Sequence, residues 1–491
     1  MSLIKNNKTT MKIPLILLFV HLWCTISIAQ TSKIVQNLNR AIAILDATIE
    51  HSFRGNDQNF YMVDVCNVDN DEVSGPSDVW PYTAVVEAHC SVLEALEAIK
   101  NIDPQLYANN YDRLIKRLNT LIENLDYYRG SYSLTSYASK RTWNVYAVPR
   151  GATPNKGKIA GNDGNDLKQN VYDDQMWLAR ELIRAYRLTK NKKYLRIATH
   201  LADYVLDGWD CYRNENGEEY GGITWGPGYN SKHACSNSPI IQPLVWLHEI
   251  YAQTNEESDY TYYYRDAKNR VQKKQVKRSE IYLQFAEKIY NWQKKHLFDA
   301  ESGVYHDMLG ADANLQYKDG YRLHVDNAKP SGHKHPYNAG TMLSGAVELY
   351  QATGKNSYSA DADALCSSCF KTFAKPYDVS ETEYYKWPTD KDALHTFNPW
   401  FNNVLMRAFV EADKQKQSLS TTKSLLSFQA NLDYAYEHFL RANFLPHDLL
   451  VGWGNNYQTK GFHQAAYASE YAQLAIWQLW QKKNNSYEYN I

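Results

Sequence analysis

At 491 residues, with 53 basic against 54 acidic side chains and a formal net charge of −1, the chain lacks the basic surplus that a nucleic-acid partner selects. Apolar residues make up 44%, enough for a sizeable core without disulfides, and aromatics make up 13%, with 39 Tyr and 13 Trp. So many rings exceed the needs of a core, and rings lining a concave surface stack on a neutral ligand such as a carbohydrate.

In chain order, the first element reads as a targeting signal. Lys5, Lys8 and Lys12 precede an apolar run over residues 13–28, and Ser27-Ile28-Ala29 offers small residues for cleavage after Ala29. Residues 1–29 are therefore expected to be a signal peptide and residues 30–491 a single domain, exported as a monomer to the periplasm or the exterior. Loss of the three lysines takes the charge to about −4. A cell-surface lipoprotein, acylated at Cys24, is the weaker expectation, because His21 and Trp23 are poor neighbours for that modification. No later apolar run is long enough to span a bilayer. Export permits disulfides among Cys66, Cys90, Cys211, Cys235, Cys366 and Cys369, but their spacing fixes no pairing. Cys366-Ser-Ser-Cys369 sits in a helical pattern with no second pair nearby and reads as buried thiols rather than a zinc or redox site.

Residues 34–49 form an amphipathic helix pattern, and residues 53–77 a polar, turn-rich loop. Trp80-Pro81-Tyr82 leads into a helix over 83–100, and another follows over 103–128. Residues 130–165 read as a long irregular segment ending in Gly161-Asn162-Asp163-Gly164-Asn165-Asp166, the kind of segment that is usually functional. A repeat then emerges over 179–205, 247–297 and 345–373: a helix, a short turn such as Thr189-Lys190-Asn191, and a helix opening with Tyr. Hairpins of this kind pack antiparallel. Aromatic-rich segments at 221–237, 305–341 and 384–402 separate them. With no convincing period-2 strand ladder, the pattern predicts an all-α ring of helical hairpins, an (α/α)6 barrel with long loops on one face. About six hairpins of roughly 70–80 residues fit the length. Residues 256–279 read as a solvated helix extension and 415–422 as a loop.

The chemistry centres on residues 170–177, where Asp173 and Asp174 stand between Tyr172 and Trp177 at the start of a strongly periodic helix. Consecutive side chains on a helix diverge by about 100°. Two carboxyls so placed can lie roughly 5 Å apart, the separation of retaining glycoside cleavage. One could attack an anomeric carbon while the other protonates the leaving oxygen, their repulsion splitting the two pKa values. A first-turn acid is also a favoured cap, and the dipeptide alone does not choose.

Trp225 and Tyr229 lie in a Gly-Gly/Gly-Pro-Gly loop, where small residues let a ligand approach and rings offer a stacking platform. Asn237 and Asn338 are either hydroxyl partners or turn-stabilising residues. Asp307 is a candidate hydroxyl acceptor or charge partner. His333-Lys334-His335 has no third ligand nearby and reads as exposed loop; no metal or other cofactor is expected. Trp80, Trp400 and Trp453 belong to cleft or core.

The run Tyr172-Asp173-Asp174-Gln175-Met176-Trp177-Leu178-Ala179 resembles the signature of glycoside hydrolase family 76, the endo-α-1,6-mannanases. The similarity continues in order at Gly221-Gly222-Ile223-Thr224-Trp225, Lys232-His233-Ala234-Cys235-Ser236-Asn237 and Tyr337-Asn338-Ala339-Gly340-Thr341, spanning about residues 80–409. The resemblance implies an (α/α)6 barrel hydrolysing α-mannan with retention, Asp173 as nucleophile, Asp174 as general acid/base, and no metal. Tyr172, Trp177, Tyr337 and Asn338 join Trp225, Tyr229, Asn237 and Asp307 as candidate substrate-binding residues. The sequence departs from the family pattern at Ala339 and in the longer 256–279 segment, which bears on the subsites. Two alternatives stay open: a secreted helical glycan-binding protein without catalysis, and an α/α-toroid glycosidase or transglycosylase acting on another glycan.

Overall fold

The computed structural model describes residues 13–70, 72–150, 170–253, 259–310, 314–389, 397–454 and 457–488. Its long helices are α1 (Ile13–Ser52), α2 (Val79–Ile99), α3 (Pro104–Asn124), α4 (Tyr172–Thr189), α5 (Lys192–Asp207), α6 (Ile241–Gln253), α7 (Arg278–Leu297), α8 (Pro336–Thr353), α9 (Asn356–Phe373), α10 (Pro399–Gln415), α11 (Leu419–Phe439) and α12 (Gly461–Glu488). The even-numbered helices pack each on the next, and α12 packs on α2, closing an inner ring of six. The odd-numbered helices clad it, with α3 on α2, α5 on α4, α7 on α6, α9 on α8, α11 on α10 and α1 on α12. This is the expected (α/α)6 barrel.

Local chemistry sets the hairpins. Helix α4 ends on Lys190 at φ 58° and α8 on Gly354 at φ 68°, left-handed caps that turn the chain back within two residues. Prolines 104, 336 and 399 occupy first-turn positions of α3, α8 and α10, where a missing N–H is free of cost. Asp103 and Asn398 cap α3 and α10 by accepting from the amides of Leu106 and Phe401. Short turns follow the inner helices α2, α4, α8 and α10, while residues 254–277 part α6 from α7, and each outer helix carries the chain back so that the inner helices run the same way. The long segments precede them, which gathers the loops at the inner N-termini, one face of the barrel.

Two sequence readings are corrected. The segment read as irregular over 130–165 begins with a hairpin, β1 (Arg129–Thr135) paired with β2 (Lys140–Tyr146), while its glycine-rich end 161–166 lies outside the described residues. The 256–279 segment is not a helix extension: β4 (Asp259–Arg265) pairs with β5 (Val271–Lys277) across a turn held by Asp266 and Asn269. Tyr260, Tyr262 and Arg265 are buried there while β5 is largely exposed, so one strand packs on the barrel and its charged partner faces water. A third reading shifts at its edges, because the loop at 415–422 shrinks to residues 416–418 and Ser418 caps α11 in a capping box with Thr421. A small sheet, β3 (Lys232–His233) against β6 (Met308–Leu309) against β7 (Pro330–Ser331), ties the loops before α6 and α8 together.

The barrel axis is polar. Arg407 of α10 pairs with Glu87 of α2, Arg184 of α4 with Glu94 and Glu181, and Gln242 of α6 donates to Glu348 and Glu411 at 3.0 Å each. The polar stripes of the inner helices therefore face one another instead of water. Cys66, Cys90, Cys211, Cys235, Cys366 and Cys369 are buried and none is joined in a disulfide, as the thiol reading expected for Cys366 and Cys369. Among the described residues no helix is long and apolar enough to cross a membrane.

Candidate active site

The gathered N-termini frame a cavity of about 360 Å³. Helix α2 contributes Trp80, α4 Asp173, Asp174 and Trp177, α8 Tyr337, and α10 Trp400 and Phe401. The loop before α6 adds Trp225, His233 and Cys235, and the loop before α8 adds Asp307.

Neither aspartate is the cap of α4. That position is Val171, which has no capping side chain, and the acids occupy the first turn beyond it. The Tyr172 amide donates instead to the carbonyl of Trp225 at 2.8 Å, and Asp173 accepts from the Asp174 amide at 3.1 Å. Burial pushes the Asp173 carboxyl up to about 6 against hydrogen bonds from Cys235, the Asp174 amide and Trp225. Asp174 rises well above the ordinary carboxyl range, through burial and then the repulsion of Asp173 and Asp78. The environments split the pair: Asp173 keeps donors that favour its anion, and Asp174 has none comparable. Around neutrality the arrangement holds one carboxylate beside one carboxylic acid.

The surrounding aromatics are locked. Trp177 and Trp80 each meet Trp400 edge-on, at 4.8 and 5.4 Å between centroids. The Trp400 indole donates to Glu87 at 2.9 Å, anchoring this cluster to the ionic axis. Trp225 stacks on His233 at 4.9 Å with Tyr229 behind it at 4.7 Å, and Tyr337 packs on Phe401 at 4.3 Å. Burial and the Asp173 carboxylate hold the Cys235 thiol protonated, a donor to Asp173. Burial likewise keeps His233 neutral.

Of the residues singled out in the sequence, Asp173, Asp174, Trp177, Trp225, Asp307 and Tyr337 line one cavity. Asn338 stands behind it, donating to Asp307 at 3.0 Å. Asn237 does not reach it: fully buried, it accepts from the Ile223 amide at 2.8 Å and donates to the carbonyls of Ile223 and His233, the turn-stabilising alternative. Tyr172, 3% exposed, turns inward against Tyr204 and Gly208. The Gly-Gly turn admits a protein ring rather than a ligand, since a Cβ on Gly222, at φ 76°, would meet Trp292 at 2.4 Å. Trp453 is spatially separate, donating to the Phe439 carbonyl, and no metal-binding cluster occurs among the described residues, His333 and His335 included.

The sequence by itself does not place His233, Cys235 or Phe401 at the site, and it does not divide Trp80 and Trp400 between cleft and core. A signal existed: Trp80-Pro81, Pro336-Tyr337 and Pro399-Trp400-Phe401 each put aromatic rings beside a helix-opening proline, and those openings converge.

Fold and loops together define an (α/α)6 enzyme-type barrel with its cavity at the inner-helix N-termini. Residues 152–267 and 273–435 match the model of glycosyl hydrolase family 76, and the chain belongs to this family of glycoside hydrolases. No curated protein sequence matches it. Solved structures share the fold. A family 76 mannosidase from Bacteroides thetaiotaomicron has 21% identity and a TM-score of 0.63, covering 91% of this chain and 100% of its own. A family 76 enzyme from a bovine strain of that species has 19% identity and a TM-score of 0.64, covering 90% and 78%. An inactive variant of an alpha-1,6-mannanase from Salegentibacter sp., with two consecutive aspartates changed to asparagine, is solved in complex with alpha-1,6-mannotriose. It has 19% identity and a TM-score of 0.56, covering 90% and 99%.

Proposed function

We propose that the protein is a retaining endo-α-1,6-mannanase in which Asp173 is the nucleophile and Asp174 the general acid/base. The observation that carries this reading is the pair of adjacent half-buried carboxyls with unequal environments, set in an aromatic cavity. The double aspartate substitution that accompanies inactivity in the Salegentibacter mannanase supports the same assignment.

In the first step a carboxylate oxygen of Asp173 attacks the anomeric carbon as the glycosidic bond breaks, and Asp174 gives its proton to the departing oxygen. This leaves a mannosyl ester on Asp173 and an anionic Asp174. A water then gives its proton to Asp174 and its oxygen to the anomeric carbon, the ester bond breaks, and both carboxyls return to their starting states. Trp80, Trp177 and Trp400 supply ring faces and edges around the sugar, and Asp307, oriented by Asn338, accepts from a hydroxyl. We infer export as a monomer after cleavage at Ala29, with residues 30–491 as the catalytic domain. The contacts from Lys33 to Asp433 and from Asn37 to Gln478, which seat α1, lie beyond that cut.

The test is turnover of linear α-1,6-mannan with product configuration read by proton NMR. The wild type is expected to release oligosaccharides initially as the α-anomer, and Asp173→Asn and Asp174→Asn each to lose on the order of 10³-fold or more in kcat. Wild-type turnover in either variant overturns the assignment. Initial β-product overturns retention, and binding of mannan without product leaves a glycan-binding protein.

A further inference from the structure

A second concavity lies outside the barrel, between the β4–β5 hairpin and helix α7. At about 620 Å³ it is larger than the cavity at the aspartates, and it meets a further one of about 430 Å³ that shares Tyr220, Trp292, Lys295 and His296. One wall is a single face of α7, with Gln284, Lys288, Asn291 and Lys295 spaced four, three and four apart. The opposite wall is the hairpin, with Tyr264 and Lys274. The groove is thus built by the element that departs from the helical pattern.

Its chemistry differs from that of the cleft. The one acid in the 620 Å³ chamber, Glu219, is already engaged by Lys288 at 2.7 Å, Arg213 at 3.3 Å and the Trp209 indole at 2.8 Å. Lys274 lies over the rings of Tyr262 and Tyr264 at 5.8 and 5.7 Å, and neither Lys274 nor Lys295 is paired with an acid among the described residues. Two exposed ammonium groups therefore line the groove, Lys274 from the hairpin and Lys295 from α7, and the acid of the adjoining chamber, Asp326, is taken by His324 at 3.3 Å. Tyr220, stacked flat on His324 at 3.5 Å, stands at the mouth shared with the second chamber and Tyr264 on the hairpin wall, both half-buried, while Trp292 is buried between His296 and the Gly-Gly turn. Cations beside stacked rings are what an anionic sugar requires, one part for its charge and the other for its apolar face.

The groove also borders the cleft. Strand β3 divides them, since His233 lines the catalytic cavity while its neighbour Lys232 lines the 430 Å³ chamber, as the alternation of a strand dictates.

We propose that the groove between α7 and the β4–β5 hairpin is a second glycan site that takes a pyranose bearing a negative charge, a phosphate ester or a uronate carboxylate, held by Lys274 and Lys295. The proposal rests on the mannanase reading for the sugar it names. It implies that the enzyme grips charged substituents of a polysaccharide while the cleft acts on the uncharged backbone.

Isothermal titration of the whole wild-type protein with mannose 6-phosphate, mannuronate, mannose and inorganic phosphate tests it, beside the Lys274→Ala/Lys295→Ala variant. Both lysines are exposed, so the variant is expected to fold. At least one charged sugar should bind one-to-one, at least tenfold more tightly than mannose and than inorganic phosphate. That affinity should fall at least tenfold in the variant and weaken with added salt. Preference for mannose 6-phosphate assigns an ester-bearing glycan, and preference for mannuronate a uronate-bearing one. No saturable binding, equal binding of mannose, equal binding of inorganic phosphate, or unchanged affinity in the variant each overturns the proposal. Turnover of α-1,6-mannotetraose is followed in parallel, and its absence counts against the mannanase reading alone.

Discussion

The amide of Tyr172 donates to the carbonyl of Trp225 at 2.8 Å, so the helix start that carries the two aspartates and the loop that carries a stacking ring form one rigid piece. Gly226 sits at this junction, where an added Cβ would lie 2.5 Å from the Asn170 carbonyl oxygen. Gly226→Ala should push the loop from the helix and displace Trp225 relative to Asp173. A displacement of about 1 Å costs on the order of 100-fold. The expected result is that loss in kcat/KM with an unchanged circular dichroism spectrum. Full activity would show that the junction does not fix the site.

The carboxyl pair fixes a pH profile. As the proposed nucleophile, Asp173 has to be ionised, so kcat/KM should fall on the acid side with an apparent pKa of about 6. As the proposed acid, Asp174 has to be protonated, so the alkaline limb is assigned to it and should vanish in Asp174→Asn assayed on an activated aryl mannoside that needs no acid. An acid limb near the ordinary carboxyl value would contradict the burial argument.

The same burial predicts stability. A carboxyl whose folded pKa exceeds its unfolded one keeps its proton longer in the native state. Stability then falls as pH rises through the interval from 3.8 to about 6 for Asp173, and the full penalty persists above it. Asp173→Asn should therefore raise the unfolding free energy at pH 7 by on the order of 1–3 kcal/mol while abolishing activity. At pH 4 the gain should shrink. Denaturant titrations at the two pH values measure both, and a variant less stable than wild type at pH 7 would refute the prediction.

Glu87 is the opposite case. Burial works against its charge, but Arg407, Arg180 and Arg184 outweigh it and hold the carboxyl below the ordinary range. Its contribution is present above the unfolded pKa and lost as pH falls through the folded one. Glu87→Gln leaves Arg407 without its counter-charge and should destabilise the fold by about 3 kcal/mol or more near neutrality. Because Trp400 donates to this carboxylate, the variant should also raise KM. A neutral effect in thermal melts would show that the ionic axis does not stabilise the barrel.

The six buried thiols predict indifference to reductant. Dithiothreitol should leave the melting temperature unchanged, and Cys66, Cys90, Cys211, Cys235, Cys366 and Cys369 should react with a thiol reagent only after denaturation. Protection lost on reduction would reveal a disulfide.

The hairpin repeat was legible because period-3.6 stripes and left-handed turns are local, as at Thr189-Lys190-Asn191. The convergence of helix openings was not, since it depends on ring closure. Trp80 and Trp400 are far apart in sequence and touch only because α10 and α12 bring the chain back to α2. Asn237 and Tyr172 misled for a related reason: neighbours of a catalytic motif share its motif but not its direction, and the side chains that hold the loop are the ones turned away from the sugar. The β4–β5 strands hid behind charge, because VQKKQVK reads as solvated whether helical or extended, and the alternation in DYTYYYR was the usable sign.

The pairing of α1 with α12 has a consequence for how the barrel is made. Every other outer helix follows the inner helix it packs on, but α1 precedes α12 by most of the chain, and until α12 emerges it is held only towards its C-terminal end, where Asp46 pairs with Arg113 and Arg117 of α3 at 2.8 and 2.7 Å. Its contacts nearer the N-terminus, Asn37 with Gln429 and Gln478 and Arg40 with Asp433, reach into the last two helices. During synthesis the stretch of α1 around Asn37 and Arg40 therefore waits without its partners until α11 and α12 emerge, and closing the ring is the last of these pairings to form.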